Sequence, residues 1–364
     1  MIADGDKLVK AHLETDKDTE FKFKNGSSTP LSPRRFMEIA DGPENSLSLD
    51  GEWRAARFPF AESEAKLASP ETADGTWERV IQPGKVFYAD PDERTENASG
   101  WDRVSLAHIN EKDGAVIRKN ADIPAAWRGK RIFLRFDSIY PAGEIYLNGE
   151  LLGRHLSGLT PVEFEVTGKV TPGRPALAAV RLLRKHKFVK MDMPRHALEF
   201  AGLAQTARFH CAESCMIAVS RVMAELSADL KTGFVKGPVI LDNASGKAIA
   251  GALKLTLTAP DGKLAGAASF PLTAAAAGRT SVDVSLKVDS PALWNDEFPN
   301  LYTLALALEI PGQETQTLTR RAGFRRLDLS PDGPKLNGSF IKFRGVNHLT
   351  FHHEGGMHTP DSWL

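Results

Sequence analysis

Residues 131–153 read RIFLRFDSIYPAGEIYLNGELLG, and their alternation decides the fold class. In the first six, Ile132, Leu134 and Phe136 fall on one face of an extended chain, while Arg131, Phe133 and Arg135 fall on the other. Farther on, Ile145 and Leu147 point one way, and Asn148-Gly149 supplies the positive φ of a tight two-residue turn. The stretch therefore predicts an extended strand followed by a β-hairpin.

The same period of two recurs outward from this segment. In ALKLTLTAPDGKL (252–264), Leu253, Leu255 and Leu257 share a face before a turn at Pro260-Asp261-Gly262. In LYTLALALEI (301–310), Leu304, Leu306 and Leu308 oppose Ala305 and Ala307. Ala176–Val180 has helical propensity, but its flanks, Pro172-Gly173 and the apolar run into Arg181-Leu182-Leu183, favour a strand. From SLSLDGEW to about residue 325 the chain reads as short strands divided by Gly, Pro, Asn and Asp. That amount of strand fits two β-sandwiches in series. A chain of 364 residues has room for two or three domains.

Composition narrows the function. Lys plus Arg and Asp plus Glu are both 46, for a formal net charge of +0 and a pI near 7.2. That balance argues against nucleic acid as a partner, which calls for a basic surface. No apolar run approaches the ~20 residues of a membrane-spanning helix, so no membrane partner is expected. The opening MIADGDKLVKAHLETDKDTEF lacks an apolar signal core, and a cytoplasmic location is the expectation. Cys211 and Cys215 are the two cysteines. On one strand their α-carbons would lie roughly 13 Å apart, too far to bridge, and C-x3-C without a matching pair is a poor zinc motif. Two unconnected thiols are expected. Phosphate-loop, dinucleotide, nucleophile-elbow and HExxH motifs do not occur, and no cofactor is expected.

Several stretches in order resemble the front half of glycoside hydrolase family 2, the family of β-galactosidases, β-glucuronidases and β-mannosidases. SLDGEW (48–53) resembles its opening L-x-G-x-W, and WERVIQPG (77–84) its W-x-x-V-x-(I/V)-P. IPAAWRGKRIFLRF…YLNGELLGRHLSGLTPVEFEVT (123–167) is similar to its sugar-binding core. SPALWNDEFPNLYTL (290–304) is similar to P-x-L-W-s-P-x-x-P-x-L-Y-x-L, and GFRRLDL…KLNGSFIKFRGVNHLTFHH (323–353) to the lead-in to its barrel. Each alone is weak; their order and spacing together carry the resemblance.

The resemblance implies a mostly β chain. An N-terminal extension (1–45) precedes a jelly-roll sugar-binding β-sandwich (46–221) and an immunoglobulin-like β-sandwich (222–326). Residues 327–364 would be the truncated start of a (β/α)8 barrel, with FIKFRGV within its first strand and small N-terminal hairpin. A whole barrel takes about 250 residues. The two catalytic glutamates of the family lie on later barrel strands, so no catalytic residue is assigned here. The implied function is the non-catalytic part of a retaining glycosidase, β-galactosidase-like by preference and inactive alone. A carbohydrate β-glycoside is the implied substrate.

Substrate-contacting candidates follow residue by residue. Asp192, in KMDMPRH (190–196), matches the second aspartate of a D-x-D-M-W segment that reaches the barrel mouth, with Lys190 in place of the first aspartate and Pro194 in place of the tryptophan. Asp192 either accepts hydrogen bonds from sugar hydroxyls or sits in a turn or salt bridge. Arg195 and His196 are its neighbours, either at the site or solvated. Asn347, His348 and His352 follow the expected first barrel strand, where barrel active sites form; Leu349 replaces the family's first His. A metal reading of His348, His352, His353 and His358 fails because His-x3-His chelates on a helix and this segment reads as a loop. A stand-alone carbohydrate-binding β-sandwich is the alternative function. An assembly role, with the sandwiches forming a homo-oligomer, is a third.

Overall fold

The computed structural model describes residues 42–59, 67–83, 113–140, 142–156, 160–182 and 202–346. Among these residues the regular structure is almost entirely strand, with short 3-10 turns. The first sandwich is built from β1 (Ser46–Ser48), β2 (Gly51–Pro59), β3 (Glu78–Gln82), β4 (Asp113–Asp122), β5 (Arg131–Phe136), β6 (Gly143–Leu147), β7 (Glu150–His155), β8 (Val162–Glu165), β9 (Pro175–Leu182) and β10 (Ala207–Ala212). Its two sheets have the orders β1-β10-β5-β8 and β3-β2-β4-β9-β6-β7, with antiparallel ladders throughout.

The predicted faces hold. Ile132, Leu134 and Phe136 from one sheet meet Ile117, Ile145, Leu147 and Val180 from the other in one buried core. Asn148 and Gly149 both have positive φ, at 50° and 83°. This is the turn whose twist matches a two-residue hairpin. The Asn148 side chain accepts a hydrogen bond from the Leu177 amide at 2.8 Å, which pins the turn to the neighbouring strand.

The chain crosses between the two sheets at SLDGEW. Gly51 takes φ 102°, a conformation that strains any other residue. Asp50 accepts from Thr206 Oγ at 2.6 Å and from the Ala207 amide at 3.0 Å. The buried Trp53 indole donates back to the Leu49 carbonyl at 2.8 Å.

The second sandwich contains β11 (Cys215–Ser220), β12 (Met223–Leu226), β13 (Thr232–Asn243), β14 (Ile249–Thr258), β15 (Leu264–Ala274), β16 (Gly278–Asp289), β17 (Tyr302–Glu309) and β18 (Gln316–Ala322). In one sheet β13 lies between β16 and the successive β11 and β12; the other has the order β15-β14-β17-β18. Leu253, Leu255 and Leu257 meet Leu304, Leu306 and Leu308 in its core, as their alternation predicts. The first core ends in the chain at Cys211, and the second begins at Cys215 and Ile217.

Beyond the second sandwich, β19 (Leu327–Ser330), β20 (Gly333–Leu336) and β21 (Ser339–Phe340) form a small sheet. Asn337, at φ 51°, accepts from the Arg326 amide and donates to the Trp294 carbonyl, each at 2.9 Å, tying this sheet to the second sandwich. The expectation of a strand through FIKFRGV is corrected here. Only Ser339 and Phe340 are paired, against Leu336 and Lys335, and 341–346 is irregular. A strand needs a neighbour to satisfy its amides, and among the described residues β20 pairs with Ser339 and Phe340 and, through the Pro334 carbonyl, accepts from the Ile341 amide at 3.1 Å before the ladder ends. Phe340, Phe343 and Val346 are exposed.

Candidate functional site

Asp192, Arg195, His196, Asn347, His348 and His352 all lie outside the described residues, as do His353 and His358. Two buried polar faces stand out among the described residues, and neither was recognised from sequence.

The first is the outer face of β1-β10-β5-β8. Strand alternation sends Arg131, Phe133 and Arg135 there, opposite Glu163 and Glu165 on β8 and Arg208 and His210 on β10. The register places Arg135 directly beside Arg208, a like-charge pair that would be unfavourable alone. Asp137 offsets it by accepting from Arg135 Nε at 2.6 Å and from Arg208 at 2.7 Å. His210 and Glu163 are both fully buried, with His210 Nε2 2.8 Å from Glu163 Oε2. The His210 ring stacks on Phe133 at 4.9 Å.

The second is the outer face of the six-stranded sheet. Glu144, 3% exposed, accepts from Arg181 at 2.9 Å, from Arg154 Nε at 2.7 Å and from the Tyr146 hydroxyl at 3.0 Å. Burial by itself would raise the Glu144 carboxyl. The hydrogen bond from Arg181 and the charges of Arg154 and Arg181 outweigh it, so the group stays below the ordinary glutamate range. Burial, followed by the Glu144 charge, pushes the Tyr146 hydroxyl up. On the same face Arg118 is nearly inaccessible. It donates to Asp74 at 2.9 Å and to the Ser69 carbonyl at 2.9 Å, and its guanidinium stacks over Trp77 at 4.3 Å.

These arrangements suit rigidity rather than acid–base work. A glycosidase acid must be a carboxyl held protonated near neutral pH. Glu144 is displaced the opposite way, as are the exposed Glu71, Asp229 and Asp261, each lowered chiefly by a side-chain hydrogen bond. His155 is buried and shifted down by that burial, which disfavours its charged form. Cys211 and Cys215 are free and buried on successive strands of different sandwiches. Burial raises the Cys211 thiol to about 11 and raises Cys215 as well, so neither is an activated nucleophile. Among the described residues no cluster of His, Cys, Asp and Glu is arranged to hold a metal, and no helix is long and apolar enough to cross a membrane.

Sequence alternation was enough to place Arg131 and Arg135 on the outer face. It carried no sign that this face is covered, because cover comes from segments distant in the chain.

Comparison with known proteins places part of the chain beside a known family. Residues 217–325 match the family model described as glycosyl hydrolases family 2. A β-galactosidase of Halalkalibacterium halodurans is 27% identical over 77% of this chain and 28% of its own length. β-Galactosidase 2 of Enterobacter cloacae is 31% identical over 65% of this chain and 23% of its own length. The chain thus spans about a quarter of these relatives. Among solved structures, Bacteroides uniformis β-glucuronidase superposes with a TM-score of 0.71 at 18% identity, over 87% of this chain and 37% of that one. At that identity the likeness is one of fold.

Proposed function

We propose that this chain, which belongs to glycoside hydrolase family 2, supplies the non-catalytic sandwiches of a retaining β-glycosidase, with β-galactosides as its substrate class, and that these 364 residues alone do not hydrolyse glycosides. The observation that carries this reading is the pairing of two β-sandwiches with a family match centred on the second. Retaining hydrolysis needs two carboxyl groups about 5–5.5 Å apart, one protonated and one ionised. The buried carboxylates described above are bound up with arginine or histidine on sheet faces, as scaffold groups are. In this reading the chemistry belongs to barrel strands of which residues 327–364 could form only the beginning.

In this proposal Asp192, Arg195, His196, Asn347, His348 and His352 contact the sugar, while the barrel provides the acid and the nucleophile. The galactoside preference rests on the β-galactosidases among the relatives, at 27% and 31% identity.

The test compares nitrophenyl β-galactoside with nitrophenyl β-glucuronide, using a gene product in which this chain precedes a barrel. The galactoside is expected to show a kcat/KM higher by roughly tenfold or more, the scale of selection by a few polar contacts. Preference for the glucuronide would overturn the substrate class. Glycan binding without turnover of either would favour the stand-alone binding module.

A further inference from the structure

We propose that the two sandwiches form one cooperative folding unit, locked by a seam in which β11 faces the second core on one side and the outer face of the first sandwich on the other, and Arg131 bridges to Asp242. The connection from β10 to β11 is only Glu213-Ser214, and it is held to the second sandwich. The Ser214 carbonyl accepts from the Ala244 amide at 2.9 Å, and Ser214 Oγ accepts from Gln313 at 2.8 Å. Such a link leaves little freedom for a hinge.

β11 is buried on both faces. Cys215 and Ile217 point into the second core. Met216 and Ala218 point the other way and join Phe133 of the first sandwich in a fully buried cluster. Its sequence, CMIAVS, has the continuous apolar start of a strand covered on both sides rather than the alternation of a half-exposed one.

Charges close the seam around this plug. Arg131, 5% exposed, makes a bidentate pair with Glu165 at 3.1 and 2.9 Å within its own sandwich. Its remaining nitrogen lies 3.6 Å from the Asp242 carboxylate and 3.5 Å from the Asp242 carbonyl across the seam. Lys130 meets Glu213 at 3.4 Å and Glu314 at 2.5 Å. Separating the sandwiches would expose Phe133 and Met216 to water and strip Arg131 of its cross-seam partner. Both penalties oppose opening.

The test is amide hydrogen exchange on the full 364-residue chain, under conditions where exchange reports the opening equilibrium. Leu255→Ala empties part of the second core, remote from the seam. If the unit is cooperative, the slowest amides of β5 accelerate in step with those of β14, by roughly 30-fold or more. Val239→Ala, a milder cavity in the same core, gives a smaller acceleration with the same proportionality and serves if Leu255→Ala does not fold. Adding Asp242→Ala to either variant weakens the coupling, so that the β5 amides accelerate less than those of β14 while the buried Phe133–Met216 contact remains. Unchanged β5 exchange beside accelerated β14 exchange would overturn the proposal. So would coupling that persists undiminished with Asp242→Ala, since the bridge would then carry none of it.

Discussion

Glu144→Ala is expected to lower the unfolding free energy by about 3 kcal/mol, the low end of the range for removing one partner of a buried ion pair. The reason is geometric. Glu144 accepts from three donors, and its removal leaves Arg181, Arg154 and the Tyr146 hydroxyl facing one another on the sheet. Both arginines keep partial access to water, which moderates the loss. If both sandwiches melt as one unit, the midpoint of thermal unfolding should fall by roughly 4–5 °C.

The same site has a pH signature. The carboxyl of Glu144 is held below its ordinary range when folded. Its contribution is therefore complete above the unfolded glutamate pKa and is lost as pH falls through the depressed folded value. Glu144→Gln keeps the shape but removes this charge. Its stability should decline less on acidification than the wild type's, measured by urea unfolding between neutral and acidic pH.

Trp53→Ala is expected to cost about 3–5 kcal/mol, the usual loss on deleting a large buried aromatic. The indole fills the first core and also closes the corner at which the chain leaves one sheet for the other, through its bond to the Leu49 carbonyl. Trp53→Phe separates the two roles. It restores most of the volume and leaves the carbonyl without its donor, for a loss of about 1–3 kcal/mol. Equal destabilisation by the two variants in denaturant titrations would show that the hydrogen bond, not the volume, dominates.

That corner shows why parts of the fold were legible. In SLDGEW each residue type acts locally. Leu49 packs in the core, Asp50 accepts hydrogen bonds, Gly51 takes the positive φ, and Trp53 is both plug and donor. Asn148-Gly149 and the leucine alternations are likewise local, so a period of two and a turn dipeptide sufficed to place them. The buried charges were illegible for the opposite reason. Glu144 meets Arg181 across 37 positions, and His210 meets Glu163 across 47. A charged residue on a strand's outer face reads as solvated until something distant covers it. FIKFRGV misled in the same way: its apolar content suits a strand, but pairing depends on a neighbour that the described residues do not offer beyond the Ile341 amide. The substrate-site candidates came from resemblance alone, and all lie outside the described residues.

Scaffold and catalyst are separated most directly by assaying the folded 364-residue chain itself on nitrophenyl β-galactoside and β-glucuronide. The expected result is nitrophenol release no faster than in buffer, from protein whose circular dichroism and cooperative unfolding report intact sandwiches. Release that rises in proportion to the concentration of this chain and disappears when it is unfolded would contradict it, because a working carboxyl pair would then lie within these residues.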